Sequence, residues 1–137
     1  MNNTFTVSAI IHTTKAIAWE KWTDPAHVVN WNFASDDWCC PSASNDLRVG
    51  GKFQSRMESK DGSMGFDFEG TYTSVKEREH FAYILADKRT IDVYFEECAE
   101  GVKVTEIVTP ETENSVELQV AGWQAILNNF KLYAERE

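Results

Sequence analysis

The amino-acid sequence predicts an α+β domain: one strand, two short helices, about five consecutive strands, and one long C-terminal helix. Three observations carry that expectation. Apolar and polar residues alternate in short runs separated by turn residues, as half-buried antiparallel strands require. In Ser115 to Glu135, by contrast, Val116, Val120, Trp123, Leu127, Phe130 and Ala134 recur at steps of four and three, marking one helical face. The strand-like runs also sit together rather than alternating with helices, which separates α+β from α/β.

The elements follow in order. Thr4 to His12 alternates Phe5, Val7, Ala9 and Ile11 against polar or small neighbours and reads as a strand. Thr13 or Thr14 caps a short helix, Lys15 to Trp22, with Ile17, Ala18 and Trp22 expected inward. Asp24-Pro25 is an N-cap followed by a first-turn proline and starts a second short helix through about Asn30. Trp31 to Leu47 is aromatic, acidic and turn-rich with no clear period, and reads as a structured loop. Within it, Asp36 and Asp37 could gate a cavity mouth or simply cap a turn, and Asp46 and Arg48 are placed to pair.

After Gly50-Gly51, Phe53, Ser55 and Met57 share one face of a strand, and Lys60-Asp61-Gly62 is a hairpin signal. Phe66, Phe68, Gly70 and Tyr72 then alternate with Asp67, Glu69, Thr71 and Thr73, so one side is aromatic and the other wet. Phe81, Tyr83 and Leu85 mark the next strand, Ile91, Val93 and Phe95 the one after, and Val102 to Thr109 the last. Asn114, with Glu117 three residues on, is expected to cap the long helix as a capping box. That helix is about 30 Å long at 1.5 Å per residue and needs a broad apolar surface to lie on. The aromatic faces of the strands supply it.

Composition excludes several classes of function. A chain of 137 residues fits a single domain over 1–137. Its net charge of -9, with basic residues scattered, argues against nucleic acid and anionic membrane surfaces. No apolar segment approaches the roughly 18 residues that cross a bilayer, and Met1 to Ile10 lacks the basic and greasy parts of a leader, so cytoplasmic residence is the expectation. Cys39, Cys40 and Cys98 do not make a disulfide framework, and His12, His27 and His80 lack metal-ligand spacing. No metal or cofactor is implied. The sequence carries no signal of oligomeric state.

A curved sheet with an aromatic inner face, closed by one helix, encloses a volume that is either packed solid or partly open. The residues expected to line such a cavity are Phe33, Trp38, Phe53, Met57, Phe66, Phe68, Tyr72, Tyr83, Val104, Trp123 and Leu127. Gly122, which costs about 1 kcal/mol relative to Ala inside a helix, marks either close packing on the sheet or space kept free. Glu106 is the one acid–base candidate. It shares the parity of Val102, Val104 and Val108 and points inward unless a bulge intervenes, where burial would raise its affinity for a proton. A bulge, or a place at the rim of the sheet, is the expected alternative. No Ser/His/Asp or Cys/His constellation is defensible from spacing.

Several stretches together resemble the Hsp-90 ATPase activator homologue-like family, in the START-like, SRPBCC superfamily that includes Bet v allergens and polyketide cyclases. They are TTKAIAWEKWTDPAHVVNW, DLRVGGKF, FDFEGTYTSV, FAYILADKRTIDVYFEE, VKVTEIVTPE and GWQAILNNFKLYAE, in the family's order over nearly the whole chain. The resemblance implies a helix-grip fold: a curved antiparallel sheet of about six strands wrapped around the C-terminal helix, with a hydrophobic cavity between them. It carries over a cavity rather than a reaction, since the family has no universal catalytic motif. The expected function is therefore binding of a small hydrophobic ligand, lipid-like or aromatic. The alternatives are a cyclase- or hydrolase-like enzyme using Glu106, and a chaperone ATPase-activating module. The last transfers poorly, because chaperone-stimulating members carry an additional N-terminal domain and this sequence opens on the first strand of the shared one.

Overall fold

A computed structural model describes residues 4–136; the first three residues of the Met1–Ile10 stretch read above for a leader lie outside the described residues. The chain runs β1 (Phe5–Ile11), α1 (Lys15–Thr23), α2 (Pro25–Val28), β2 (Trp38–Asn45), β3 (Lys52–Ser59), β4 (Gly65–Lys76), β5 (His80–Ile84), β6 (Thr90–Cys98), β7 (Gly101–Val108) and α3 (Val116–Ala134). The strands form one antiparallel sheet in the order β1-β7-β6-β5-β4-β3-β2. The sheet is therefore a meander from β2 to β7, with β1 returning beside β7. It curls around α3 in the helix-grip arrangement.

The sheet has seven strands, not about six. The additional one is β2, inside the stretch expected to be a loop. Its sequence, WCCPSASN, hides it: Pro41 has no amide to donate, and the register slips between Cys39 and Ser42. Both are tolerated because β2 is an edge strand with only β3 as neighbour. A second irregularity, between Tyr72 and Ser74, divides β4. Before it the inward residues are Phe66, Phe68 and Tyr72; beyond it Val75 pairs with inward Phe81, so the parity has flipped.

The solid core lies where β1, β5, β6 and β7 meet α1 and the C-terminal half of α3. Val7, Ile11, Val93, Phe95, Val102, Val104, Leu127 and Phe130 are almost or wholly inaccessible. Aromatic edges lock it: the Phe130 ring lies 4.7 Å from Trp22 and 4.8 Å from Trp31, and Trp19 lies 5.2 Å from Phe95. On α1 the buried residues are Ala18 and Trp19, whereas Ile17, expected inward, is 40% exposed. The helix is too short for its weak apolar pattern to fix which side faces the sheet.

Caps and side-chain ties set the frame. Thr14 accepts from Ile17 N at the start of α1, and Asp24 from Ala26 N ahead of Pro25 at the start of α2. On α3 the cap is Ser115, which accepts from Leu118 N, and not Asn114. Glu117 is then one position too early to act as the reciprocal arm of a capping box. Asn114 instead donates, from its backbone and its amide, to Glu111. Lys131 Nζ reaches Ile10 O at 2.6 Å and Gln124 Nε2 reaches Ser8 O at 3.2 Å, holding α3 along β1.

Candidate functional site

A cavity of about 320 Å³ lies between the N-terminal half of α3, the α1–α2 segment and the arm of the sheet made by β2, β3 and the first half of β4. It is partly open to solvent. The arm supplies an aromatic wall because Phe53, Phe68 and Tyr83 meet across β4: Phe53 lies 4.7 Å from Tyr83 and 5.8 Å from Phe68. Gly70 makes this possible. A Cβ there would sit 2.9 Å from the Phe53 ring and 3.1 Å from the Tyr83 ring, so a side chain at this inward position would drive the rings apart. Trp123 closes the wall from α3, 6.1 Å from Phe68.

The polar groups of the lining are at two places. Near α2 and β2, Asn32 donates to Ser55 Oγ at 3.1 Å, and the Tyr72 hydroxyl donates to Asn45 Oδ1 at 2.6 Å while Asn45 donates to Thr23 O. These groups are satisfied within the protein. Near the start of α3, Gln119 is buried and binds the incoming segment three times, accepting from Glu111 N and donating to Glu111 O and Asn114 O. Arg89, also at the wall, is tied to Asp87 at 2.7 Å.

Glu106 differs from all of these. No bulge occurs in β7, which pairs in unbroken register with β1 and β6 and places Glu106 opposite Val7 on one side and Val93 on the other. The expectation of a rim or bulge position is therefore corrected: Glu106 is 4% exposed and belongs to the cavity wall. No described residue hydrogen-bonds its carboxyl, and burial alone holds its pKa up at about 8. Among the described residues no fully enclosed side-chain nitrogen or oxygen lacks a partner. The unbonded Glu106 oxygens must therefore open onto the cavity. At neutral pH the group is a neutral carboxylic acid, able to donate one hydrogen bond and accept others. Burial also raises the Tyr83 hydroxyl well above its usual pKa, with the nearby Glu106 charge adding to the effect.

Of the residues expected at the cavity, the structure places Phe53, Met57, Phe66, Phe68, Tyr72, Tyr83 and Trp123 on its wall, together with Glu106. Four others lie elsewhere. Val104 and Leu127 are wholly enclosed in the solid core, Trp38 is not on the lining although its ring lies 6.1 Å from that of Phe66, and Phe33 lies in the loop after α2, where its carbonyl accepts from Asn129. Asp36 and Asp37 are exposed and are not among the cavity-lining residues; Asp37 serves the turn by accepting from Ser35. Sequence reasoning missed Trp22, Trp31, Gln119 and Ile126. The last two were within reach, since each shares a helical face with Trp123. Gly122, beside them, is open: an added Cβ would meet nothing within 4 Å, so close packing is not its reason.

A family profile for activator of Hsp90 ATPase homolog 1-like proteins matches residues 12–135, which include every residue of the cavity wall. Among solved structures, the chain is similar to an AHSA1-like protein from Aeromonas hydrophila, at 40% identity and a TM-score of 0.92, over 97% of this chain and 92% of that one. A protein from Cytophaga hutchinsonii is also 40% identical, with a TM-score of 0.80 over 98% and 92% of the two chains. One from Chromobacterium violaceum shares the fold at 17% identity, with a TM-score of 0.87 over 98% and 99%. No protein of curated function matches the chain.

Proposed function

The chain belongs to the activator of Hsp90 ATPase homolog 1-like family, and from that premise we propose that it binds a small, mostly apolar molecule in the cavity between sheet and helix. The observation carrying this reading is the half-length of α3 that faces open space lined by aromatic rings, while the other half is packed solid. A volume of about 320 Å³ lies at the low end of the roughly 300–1,000 Å³ typical of ligand sites. It suits a compound of one or two rings better than a long acyl chain. The free cysteines are in keeping with a cytoplasmic protein.

Calorimetric titration with indole or naphthalene tests the reading. Saturable one-to-one binding is expected, abolished by Ala43→Phe, which fills the wall from β2; no saturable heat with either compound would count against it. A second reading, general acid–base catalysis on a cavity-bound substrate, is favoured by the burial of Glu106. It predicts that Glu106→Gln removes turnover while leaving binding and fold intact. The family's description also names chaperone activation. Ligand-independent capture of a chaperone middle domain in a pull-down would support that protein-binding role instead.

A further inference from the structure

Glu106 has the properties of a binding group whose partner must come from outside. It is nearly inaccessible, it is fixed by two neighbouring strands, and its oxygens open onto the cavity with no protein donor bonded to them. A buried carboxyl left without donors is unfavourable for folding, so its presence calls for a compensating contact. The remainder of the wall narrows what that contact is. Nine of the lining residues are aromatic, and the faces of aromatic rings attract cations. The one lining cation, Arg89, is already engaged by Asp87. The protein as a whole carries a net charge of -9, which draws cations and repels anions.

We propose that the cavity is a site for a small aromatic or alicyclic amine, whose ammonium N–H groups bond the Glu106 carboxylate while its apolar body lies against the rings of Phe53, Phe68 and Trp123. This rests on the cavity being a ligand site. The proton balance is explicit. The ligand, already protonated in solution, enters as an ammonium ion, Glu106 loses its proton to solvent, and an ammonium–carboxylate pair remains. Charge-assisted hydrogen bonds of this kind are the strong ones, and they strengthen where water is thin.

The groups facing Glu106 do not supply another proton acceptor of similar strength. From β1 and β6 its register neighbours are Val7 and Val93, and from α3 the wall residues Gln119 and Trp123 do not titrate. The hydroxyls of Tyr83 and Tyr72 are both held above their usual pKa by burial and stay neutral. Glu111 completes the wall's carboxyl groups; hydrogen bonds from Asn114 hold its carboxyl below its usual range, so it is ionised throughout.

The test compares 2-naphthylmethylamine with 2-naphthylmethanol, which differ only in the polar group, by calorimetry on the full chain. The amine is expected to bind about tenfold tighter or better at neutral pH. Its binding should release close to one proton, read from the heat in two buffers of different ionisation enthalpy. The preference should rise with pH until Glu106 is ionised in the free protein, and disappear in Glu106→Gln. Proton release is measured on the unaltered protein, so it decides the matter even if that variant fails to fold. An alcohol that binds as tightly as the amine, or amine binding without proton release, overturns the amine assignment and leaves the ligand cavity standing. If neither compound binds, the cavity reading falls with it.

Discussion

The two halves of α3 lie on the same sheet and do different things. From Leu127 to Ala134 the inward residues are sealed: Leu127 and Phe130 have no exposed surface, and Trp22 and Trp31 brace the Phe130 ring. From Gln119 to Ile126 the inward residues border open space, and Gly122 has no neighbour where its Cβ would be. Both halves carry the same apolar spacing. The difference lies in what faces them. The sealed half meets continuous strands dense in Val, Ile and Phe, whereas the open half faces an arm broken by a bulge at each end, in β2 and in β4. Bulges bend a strand and increase its twist, and here they lie in the two outer strands of the arm that borders the cavity. The fold is therefore packed solid at one end and open at the other.

The largest expected effect separates the two halves directly. Phe130→Ala removes a fully enclosed ring and is expected to cost about 3–5 kcal/mol in urea unfolding. Trp123→Ala, which removes a partly exposed ring at the cavity, is expected to cost less than about 2 kcal/mol. Equal losses would mean that the cavity half is as much a part of the core as the other.

The second effect is a pH dependence. The folded-state pKa of Glu106, about 8, is raised above the ordinary value for an unfolded chain. Between those values the folded protein keeps a proton that the unfolded chain has lost. The contribution of Glu106 to stability is thus most favourable below the ordinary carboxyl pKa and is lost as pH rises toward about 8, by on the order of a few kcal/mol. Glu106→Gln should remove that slope and be the more stable protein at the alkaline end, as measured by denaturation midpoints across pH. A parallel pH profile for both proteins would show that Glu106 is not desolvated.

Smaller effects probe the entrance to the helix. Gln119→Ala leaves the Glu111–Asn114 segment without three hydrogen bonds and is expected to cost about 1–3 kcal/mol, with faster amide exchange at Glu111. Gly122→Ala should stabilise the protein by up to about 1 kcal/mol, because alanine suits a helix better and the space is empty. Destabilisation by that change would show that the backbone there is under a constraint not visible in its surroundings.

The strong alternation of β3 to β7 and the helical stripe of α3 made the architecture legible, since period and face are local properties of a sequence. The aromatic parity also placed Phe53, Phe68, Tyr72 and Tyr83 on one wall, correctly up to the Tyr72–Ser74 irregularity. What failed depended on irregular backbone or on depth. β2 was missed because Pro41 and the adjacent bulge erase its period. Val104 and Leu127 have the right parity for the cavity but lie too deep in the packed end, a coordinate along the element that alternation does not encode. Glu106 was identified as a candidate from parity, yet its inward position depended on the absence of a bulge, which only the register shows.

Nitrogen-edited NMR during titration with indole tests the division of α3 most directly. Saturable shifts are expected for the Trp123 indole N–H and for backbone amides from Phe66 to Tyr72, with the amides of Leu127, Phe130 and Ala134 unmoved. Shifts spread evenly along α3, or no saturable shift at Trp123, would contradict a helix that is core along one half and cavity wall along the other.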